Sequence, residues 1–218
     1  MNMKDLILNP DKFFRELSNK EPSLIPPFLI VLTLSVLNAI HAYYTTSVMM
    51  NLFPPEMQSN MSIILIVSML SAFLGGFIGW LLIAGIMYII SAVFKGEGSF
   101  KRTLEFIGYG FFPNIVGVLI TMLVSYYFLS NIQIPTLTME QLQNPEVAKK
   151  ILSSIIPDTM TYTTTLIDIA VTLWNLGLWT YGIKYARNLD LKKAFIVALI
   201  PTALFLISKL LSIITALR

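Results

Sequence analysis

The chain has 218 residues, of which 56% are hydrophobic and 12% charged, and its formal net charge is +3. Soluble domains carry about 25% charged residues, and a chain this short cannot hide so much apolar surface from water in its own core. The composition excludes an ordinary soluble domain and indicates an all-α protein with lipid as the solvent for most of the chain. With no cysteine and only His41 as histidine, it also excludes disulfides, thiolate metal sites and multi-histidine metal sites within one subunit.

The N-terminal segment, residues 1–22, is predicted to contain a short amphipathic helix. Asn9 suits the N-cap position and a proline follows it in the first turn. Phe13, Phe14 and Leu17 then form a narrow apolar stripe between charged residues. Two interpretations are open: the helix lies in the headgroup zone of the membrane, or it packs beneath the helical bundle.

Five windows of the chain are long and apolar enough to cross a bilayer as helices, which requires about 20 residues each. They cover about 24–50, 61–94, 103–130, 161–185 and 194–217. The sequence therefore predicts one membrane domain, a bundle of five transmembrane helices that takes up the whole chain.

The distribution of basic residues predicts the orientation of this bundle. Eleven of the 15 Lys and Arg residues lie in the N-terminal segment and in the second and fourth connections, and three lie in the third connection and at the C-terminal residue. Because cytoplasmic loops are enriched in Lys and Arg, we expect the N-terminus in the cytoplasm and the C-terminus outside. Topology thus explains the positive charge, and no nucleic-acid partner is inferred.

The third connection, residues 131–160, is predicted to be an external loop. Asn144, Pro145 and Glu146 form a helix-start signal. The apolar residues that follow at helical spacing predict a short amphipathic helix on the outer membrane surface; they are Val147, Ile151, Leu152 and Ile155.

Three titratable side chains are predicted to share one layer of the outer leaflet: His41, Asp168 and Lys209. Intramembrane charge is costly and often functional, so a proton or cation site is one interpretation. The alternative is structural. Asp168 and Lys209 would pair between neighbouring antiparallel helices and His41 would bond a backbone carbonyl, or Lys209 would extend alone toward the outer interface.

Two further features concern the helices themselves. Pro113 followed by Asn114 predicts a weakened point in the third span, where exposed backbone either binds ions, as in many transporters, or forms a packing kink. Gly75 and Gly79 have the spacing that allows close helix approach, either within the chain or in a homodimer. Trp179 is predicted to be an interfacial anchor.

The sequence contains none of the metalloprotease, hydrolase or phosphate-binding motifs that would indicate an enzyme. We therefore predict a non-enzymatic protein without catalytic residues, cofactor-binding residues, metal ligands or a cofactor. Membrane lipids are the partners that the composition itself implies.

Several short patterns together resemble the prokaryotic branch of the Yip1 domain family of five-helix membrane proteins, over nearly the whole chain. The most specific is a run of glycines and aromatic residues that enters the third span and ends at a proline. The patterns are Asn9-Pro10-x-x-Phe13-Phe14-x-x-Leu17, Gly96-x-Gly98-Ser99-Phe100, Gly108-Tyr109-Gly110-Phe111-Phe112-Pro113, Trp174-x-x-x-Leu178-x-x-x-Gly182 and Leu191-Lys192-Lys193-Ala194-Phe195.

The resemblance implies a multi-pass protein of a prokaryotic plasma membrane, related to eukaryotic proteins of early secretory traffic that contact prenylated small GTPases of the Rab type. The Asp-Leu-Tyr-Gly-Pro element of those relatives does not occur in this chain, so no residue is assigned to GTPase binding. The first functional hypothesis is therefore a protein that organises the membrane or partner proteins. The alternative is a small ion or solute transporter or channel that uses His41, Asp168 and Lys209.

Overall fold

The computed structural model describes residues 3–58, 61–144, 146–147, 151 and 154–216, and over these residues the chain is helical without a strand. This confirms the all-α fold. In chain order the helices are α1 (Met3–Leu8), α2 (Pro10–Ser18), α3 (Ile25–Met49), α4 (Pro55–Gln58), α5 (Ser62–Val93), α6 (Phe100–Tyr109), α7 (Phe112–Ser130), α8 (Met139–Gln143), α9 (Asp158–Ala186) and α10 (Leu191–Ala216).

Five stretches of the described chain are long and apolar enough to cross a membrane, as the sequence predicts. They are Ile25–Leu52, Ser62–Val93, Phe100–Ser130, Asp158–Ala186 and Leu191–Leu211. The third and fifth of these helices begin a few residues before the apolar windows of the sequence, because a polar residue caps the N-terminus of each. The Ser99 hydroxyl accepts a hydrogen bond from the backbone N–H of Arg102, and the Asp190 carboxylate accepts one from the backbone N–H of Lys193.

The long helices form a ring in the order α3, α5, α10, α9, α7, in which each helix packs against the next and α7 closes on α3. The third span is broken between Tyr109 and Phe112, so that its first part is the separate helix α6. This helix packs against α3, α5 and α9, and every residue from Thr103 to Tyr109 is buried. Thus α6 fills the centre of the ring over one half of its height.

We call the end of the bundle that carries α1, α2 and the connections 94–99 and 187–190 the basic end. There, the Asn9 side chain accepts a hydrogen bond from the backbone N–H of Lys12 and caps α2. The rings of Phe13 and Phe14 are fully buried, and their centroids each lie 5.2 Å from that of an α6 ring, Tyr109 and Phe106 respectively. Of the two interpretations of this stripe, the structure has the helix packed beneath the bundle.

At the opposite end, the third connection folds back onto the end of the first span. Leu52, Leu137 and Ile155 form a small apolar cluster, and the backbone N–H of Leu137 donates to the Leu52 carbonyl at 2.7 Å. The amphipathic helix predicted after Asn144 lies largely outside the described residues, which omit 145, 148–150 and 152–153.

Candidate functional site

A cavity of about 650 Å³ lies inside the ring, between α3, α5, α7 and α9. On α3 its lining runs from Leu34 to Thr45, which corresponds to about 16 Å along the helix axis. Phe111, at the break between α6 and α7, belongs to the lining. The cavity therefore occupies the half of the bundle that α6 does not fill. Its polar lining residues are Asn38, His41, Thr45, Asn114, Thr121 and Asp168.

The three titratable residues singled out in the sequence lie at similar heights. Asp168 precedes the end of α9 by 18 residues and Lys209 follows the start of α10 by 18 residues, so both lie roughly 27 Å from the basic end. His41 follows the start of α3 by 16 residues, or about 24 Å. His41 and Asp168 line the cavity, and Lys209 reaches Asp168 from the neighbouring helix.

Asp168 and Lys209 form an ion pair with 2.5 Å between the Lys209 Nζ and the Asp168 Oδ2 atoms. Their side chains are 40% and 41% exposed, so neither is enclosed by the surrounding protein. Pairing lowers the cost of holding two charges at membrane depth, and a hydrogen bond between two ions is stronger than one between neutral groups. The structure thus has the neutralising pair, and it places the carboxylate of that pair on the cavity wall.

His41 bonds a side chain rather than the backbone carbonyl considered above. Its Nε2 atom lies 3.0 Å from the hydroxyl oxygen of Ser125 on α7. This contact joins the first and third spans beside the cavity and orients the imidazole ring.

Two carbonyl groups of α6, shortly before the break at Pro113, accept hydrogen bonds from tryptophan side chains. The ion-binding alternative for the break itself stays a prediction. The Trp80 indole N–H donates to the Leu104 carbonyl at 2.8 Å, and the Trp179 indole N–H donates to the Ile107 carbonyl at 3.1 Å. Trp179 is only 3% exposed, so its predicted role as an interfacial anchor is wrong. These two hydrogen bonds join the end of α6 to α5 and α9.

Asn114 lies on the cavity wall just after this break. Its side-chain oxygen accepts a hydrogen bond of 2.8 Å from the side-chain amide of Asn175 on α9. Within the part of the chain that the structure describes, the buried side-chain oxygen of Asn175 has no hydrogen-bond partner. The amide pair therefore joins α7 to α9 beside the cavity, whose lining includes Asn114.

Gly75 and Gly79 do not make the close helix contact that their spacing predicts for packing within one chain. A Cβ atom built on either residue would meet nothing within 4 Å, because both face the cavity. The close approach occurs instead at Gly76, where a Cβ would lie 2.1 Å from the Ser35 hydroxyl oxygen of α3. The dimer alternative stays a prediction.

Helical spacing could have identified more of the lining. Asn38, His41 and Thr45 are separated by three and four residues, so they share one face of α3. Asn114 and Thr121 are seven residues apart on α7 and share a face in the same way. Each polar face was visible in the sequence, but which helices face each other was not.

At the basic end, two arginines bond groups from several different segments of the chain. The Arg102 guanidinium lies 2.8 Å from the Glu105 carboxylate, which also accepts a hydrogen bond from the backbone N–H of Ser23. Arg187 is buried, donates to the carbonyls of Gly96 and Gly98 and stacks over the ring of Tyr88 at 4.2 Å. These contacts tie the connections between spans to one another.

The fold and the cavity define a multi-pass helical membrane protein with five spans and a polar pocket in one half of its bundle. The chain belongs to the Yip1 domain family, which it matches over residues 4–211, and this confirms the resemblance drawn from the short patterns. It is also similar to an uncharacterized protein of Methanocaldococcus jannaschii, with 54% identity over 127 residues, 58% of this chain and 90% of that protein. No solved structure matches the chain.

Proposed function

We propose that this Yip1-family membrane protein is a non-enzymatic transporter or channel that takes up a small polar solute in its intramembrane cavity. The observation that carries the proposal is the cavity itself, which places the Asp168 carboxylate and the His41 imidazole on one continuous surface within the membrane-spanning helices. Ligand sites in proteins commonly have volumes of about 300–1,000 Å³ and combine apolar walls with a few polar groups. The 650 Å³ cavity has both properties.

Passage of a solute requires the basic end to open, because α6 fills the ring there. The break between Tyr109 and Phe112 separates α6 from α7 and provides a point at which α6 can move independently. In this proposal, α6 moves away from the indoles of Trp80 and Trp179. This movement opens the cavity to the compartment that the basic end faces.

The natural absence of cysteine makes this testable with single cysteines. Thr121→Cys places a thiol of similar size in the cavity lining, and Leu123→Cys, two residues further on α7, is the control because Leu123 is 70% exposed on the outer surface of the bundle. A membrane-impermeant methanethiosulfonate reagent is applied to right-side-out and inside-out vesicles. We expect Thr121→Cys to react from both faces and Leu123→Cys to stay unreactive in lipid. Reaction of Thr121→Cys from one face or from neither would contradict transport.

The organising role implied by the family is a second candidate, and the charge at the basic end favours it. Anionic lipid headgroups attract basic segments by about 1 kcal/mol per Lys or Arg close to the surface. In nanodiscs, anionic lipid should therefore raise the thermal stability of the wild-type protein more than that of a Lys192→Gln, Lys193→Gln variant, and an equal effect would contradict this role. The exposed cations at this end are Lys4, Arg15, Lys20, Lys95, Lys101, Lys192 and Lys193.

A further inference from the structure

We propose that the solute is a small organic cation, a protonated amine, and that it binds Asp168 in exchange for Lys209. This rests on the proposed function of the cavity, and it adds the chemical class of the ligand and a role for the lysine. The pair is then the resting state of a binding site, in which the protein's own ammonium group occupies the position of the ligand.

The charge of the cavity favours a ligand with one positive charge. Among the described residues that line it, Asp168 is the one carboxylate, and no lysine or arginine is present. A bound ammonium group would neutralise that carboxylate, whereas a divalent cation would leave an uncompensated charge in a medium of low dielectric constant. An anion would be repelled by the carboxylate, and no lysine or arginine among the described lining residues would offset that repulsion.

The size and chemistry of the cavity favour an organic ligand over a bare metal ion. A water molecule takes up about 30 Å³ in the liquid, so an ion with one hydration shell would fill only part of the 650 Å³. Leu34, Val118 and Val171 provide apolar wall for a carbon skeleton. The amides and hydroxyls of Asn38, Thr45, Asn114 and Thr121 provide hydrogen-bond partners for a second polar group.

The contact between the Lys209 ammonium group and the Asp168 carboxylate is of the same kind as the contact that the ligand would make. The primary ammonium of Lys209 lies 2.5 Å from the Asp168 Oδ2 atom, and it comes from α10, which contributes no residue to the described cavity lining. A second ammonium group that enters through the cavity would approach the same carboxylate from a different side. Since the lysine has a flexible four-carbon stem, it can withdraw toward the nearer membrane interface when it is displaced.

The exchange makes two joint predictions: the wild-type protein binds a small protonated amine with a measurable Kd, which a permanently closed structural ion pair does not, and removal of the lysine improves that binding. The experiment measures the Kd of radiolabelled ethanolamine for the full-length protein in phosphatidylcholine nanodiscs, where the quaternary ammonium of the lipid cannot donate a hydrogen bond. The variants are Lys209→Met, Asp168→Asn and the double variant, and Lys193→Met serves as a matched control because Lys193 is an exposed lysine at the basic end.

We expect Lys209→Met to tighten binding by about tenfold or more relative to Lys193→Met, because the internal competitor is gone. Asp168→Asn should abolish binding, as should the double variant, which removes both charges of the pair and therefore tests the carboxylate even if Asp168→Asn alone fails to fold. Unlabelled ethylene glycol, in which a hydroxyl replaces the ammonium group, should not displace the label. Equal binding by Lys209→Met and Lys193→Met, or full binding by the double variant, would overturn the proposal.

The ammonium group could belong to a free amine or to a lipid headgroup, and one further arm distinguishes these sources. If phosphatidylethanolamine in the nanodisc suppresses the binding of labelled ethanolamine, the headgroup is the ligand; if it has no effect, the ligand is a free amine. Failure of the ligand proposal is separable from failure of the proposed function. If Thr121→Cys reacts from both faces and ethanolamine does not bind, the transport proposal stands and the proposed class of ligand is wrong.

Discussion

Two glycines at the end of α6 allow two tryptophan indoles to reach its carbonyl groups. A Cβ atom on Gly108 would lie 2.9 Å from Trp80 Nε1, and one on Gly110 would lie 2.2 Å from Trp179 Cδ1. Any side chain larger than hydrogen would push the indoles away from the carbonyls that they bond. At the residue scale, the hydrogen bonds of the two indoles to α6 therefore depend on the absence of side chains at two positions.

Replacement of Gly110 should consequently destabilise the protein. We expect Gly110→Ala to lower the free energy of unfolding by about 1–3 kcal/mol, as for overpacked cores, in reversible denaturation in mixed micelles. Gly85→Ala is the matched control, because a Cβ at Gly85 of α5 would meet nothing within 4 Å. Equal effects of the two substitutions would show that the indole contacts do not limit stability.

A second residue-scale prediction concerns Asp11, which lies on α2 outside the spans. The hydrogen bond from Lys184, at 2.6 Å, holds the pKa of this carboxyl below its usual range, and a hydrogen bond from Tyr185 acts in the same direction. Because the folded-state pKa is depressed, its stabilising contribution is complete above the ordinary value of about 3.9 and is lost as the pH falls through the folded-state pKa.

Asp11→Asn should thus lower stability at neutral pH, by about 0.5–1 kcal/mol because the pair is partly exposed. In an unfolding series, the difference from wild type should stay constant down to about pH 4 and shrink as the pH falls further. Glu16→Gln on the same helix is the control, since its carboxylate lies 4.0 Å from Lys12 with both side chains 44% exposed. A difference that is constant with pH would exclude the ion pair as its origin.

At the scale of elements, α2 belongs to the core of the basic end. Its aromatic side chains pack on α6, and Asp11 joins it to Lys184 of α9. An amphipathic helix that lay only in the headgroup zone would have its stripe in lipid, whereas here the stripe contacts the helix that fills the ring. The N-terminal segment is therefore part of the packing of that end.

Truncation of this stripe should have a large effect on stability. We expect Phe13→Ala to cost about 3–5 kcal/mol, the range for buried aromatic residues, and Leu8→Ala on α1 to cost far less because Leu8 is 79% exposed. The two variants are compared by denaturation in the same mixed micelles. If Phe13→Ala were no worse than Leu8→Ala, the docking of α2 on the bundle would be wrong.

The sequence predicts elements better than it predicts their mutual contacts. Hydropathy locates the five spans, and the Asn9 cap with its apolar stripe locates α2, because both depend on residues close together in the chain. The role of Trp179 was missed since an aromatic residue near a span end resembles an interfacial anchor, and only the packing shows that it bonds α6. Similarly, the rise per residue placed His41 and Asp168 in one layer, but Ser125 is one of many hydroxyl residues and nothing local marks it.

At the scale of the whole molecule, the bundle is asymmetric along its axis. The basic end contains α6, docked α2 and the Arg102–Glu105 ion pair, and the opposite half contains the cavity and the Asp168–Lys209 pair. The distribution of basic residues predicts which compartment each end faces. If the basic end is cytoplasmic, the cavity lies in the outer leaflet and a solute would enter from outside.

This orientation can be tested with single cysteines at exposed uncharged positions, which leave the basic residues that set topology unchanged. Gln133→Cys lies in the third connection and Asn19→Cys follows α2, and both residues are exposed. With a membrane-impermeant maleimide on intact cells, we expect Gln133→Cys to be labelled directly and Asn19→Cys only after permeabilisation, because the positive-inside rule holds the basic end in the cytoplasm.

The reverse pattern would place the cavity in the inner leaflet, and its solute would then be drawn from the cytoplasm. Labelling of both on intact cells would mean that the number of membrane crossings between them is even, which contradicts the five-span arrangement.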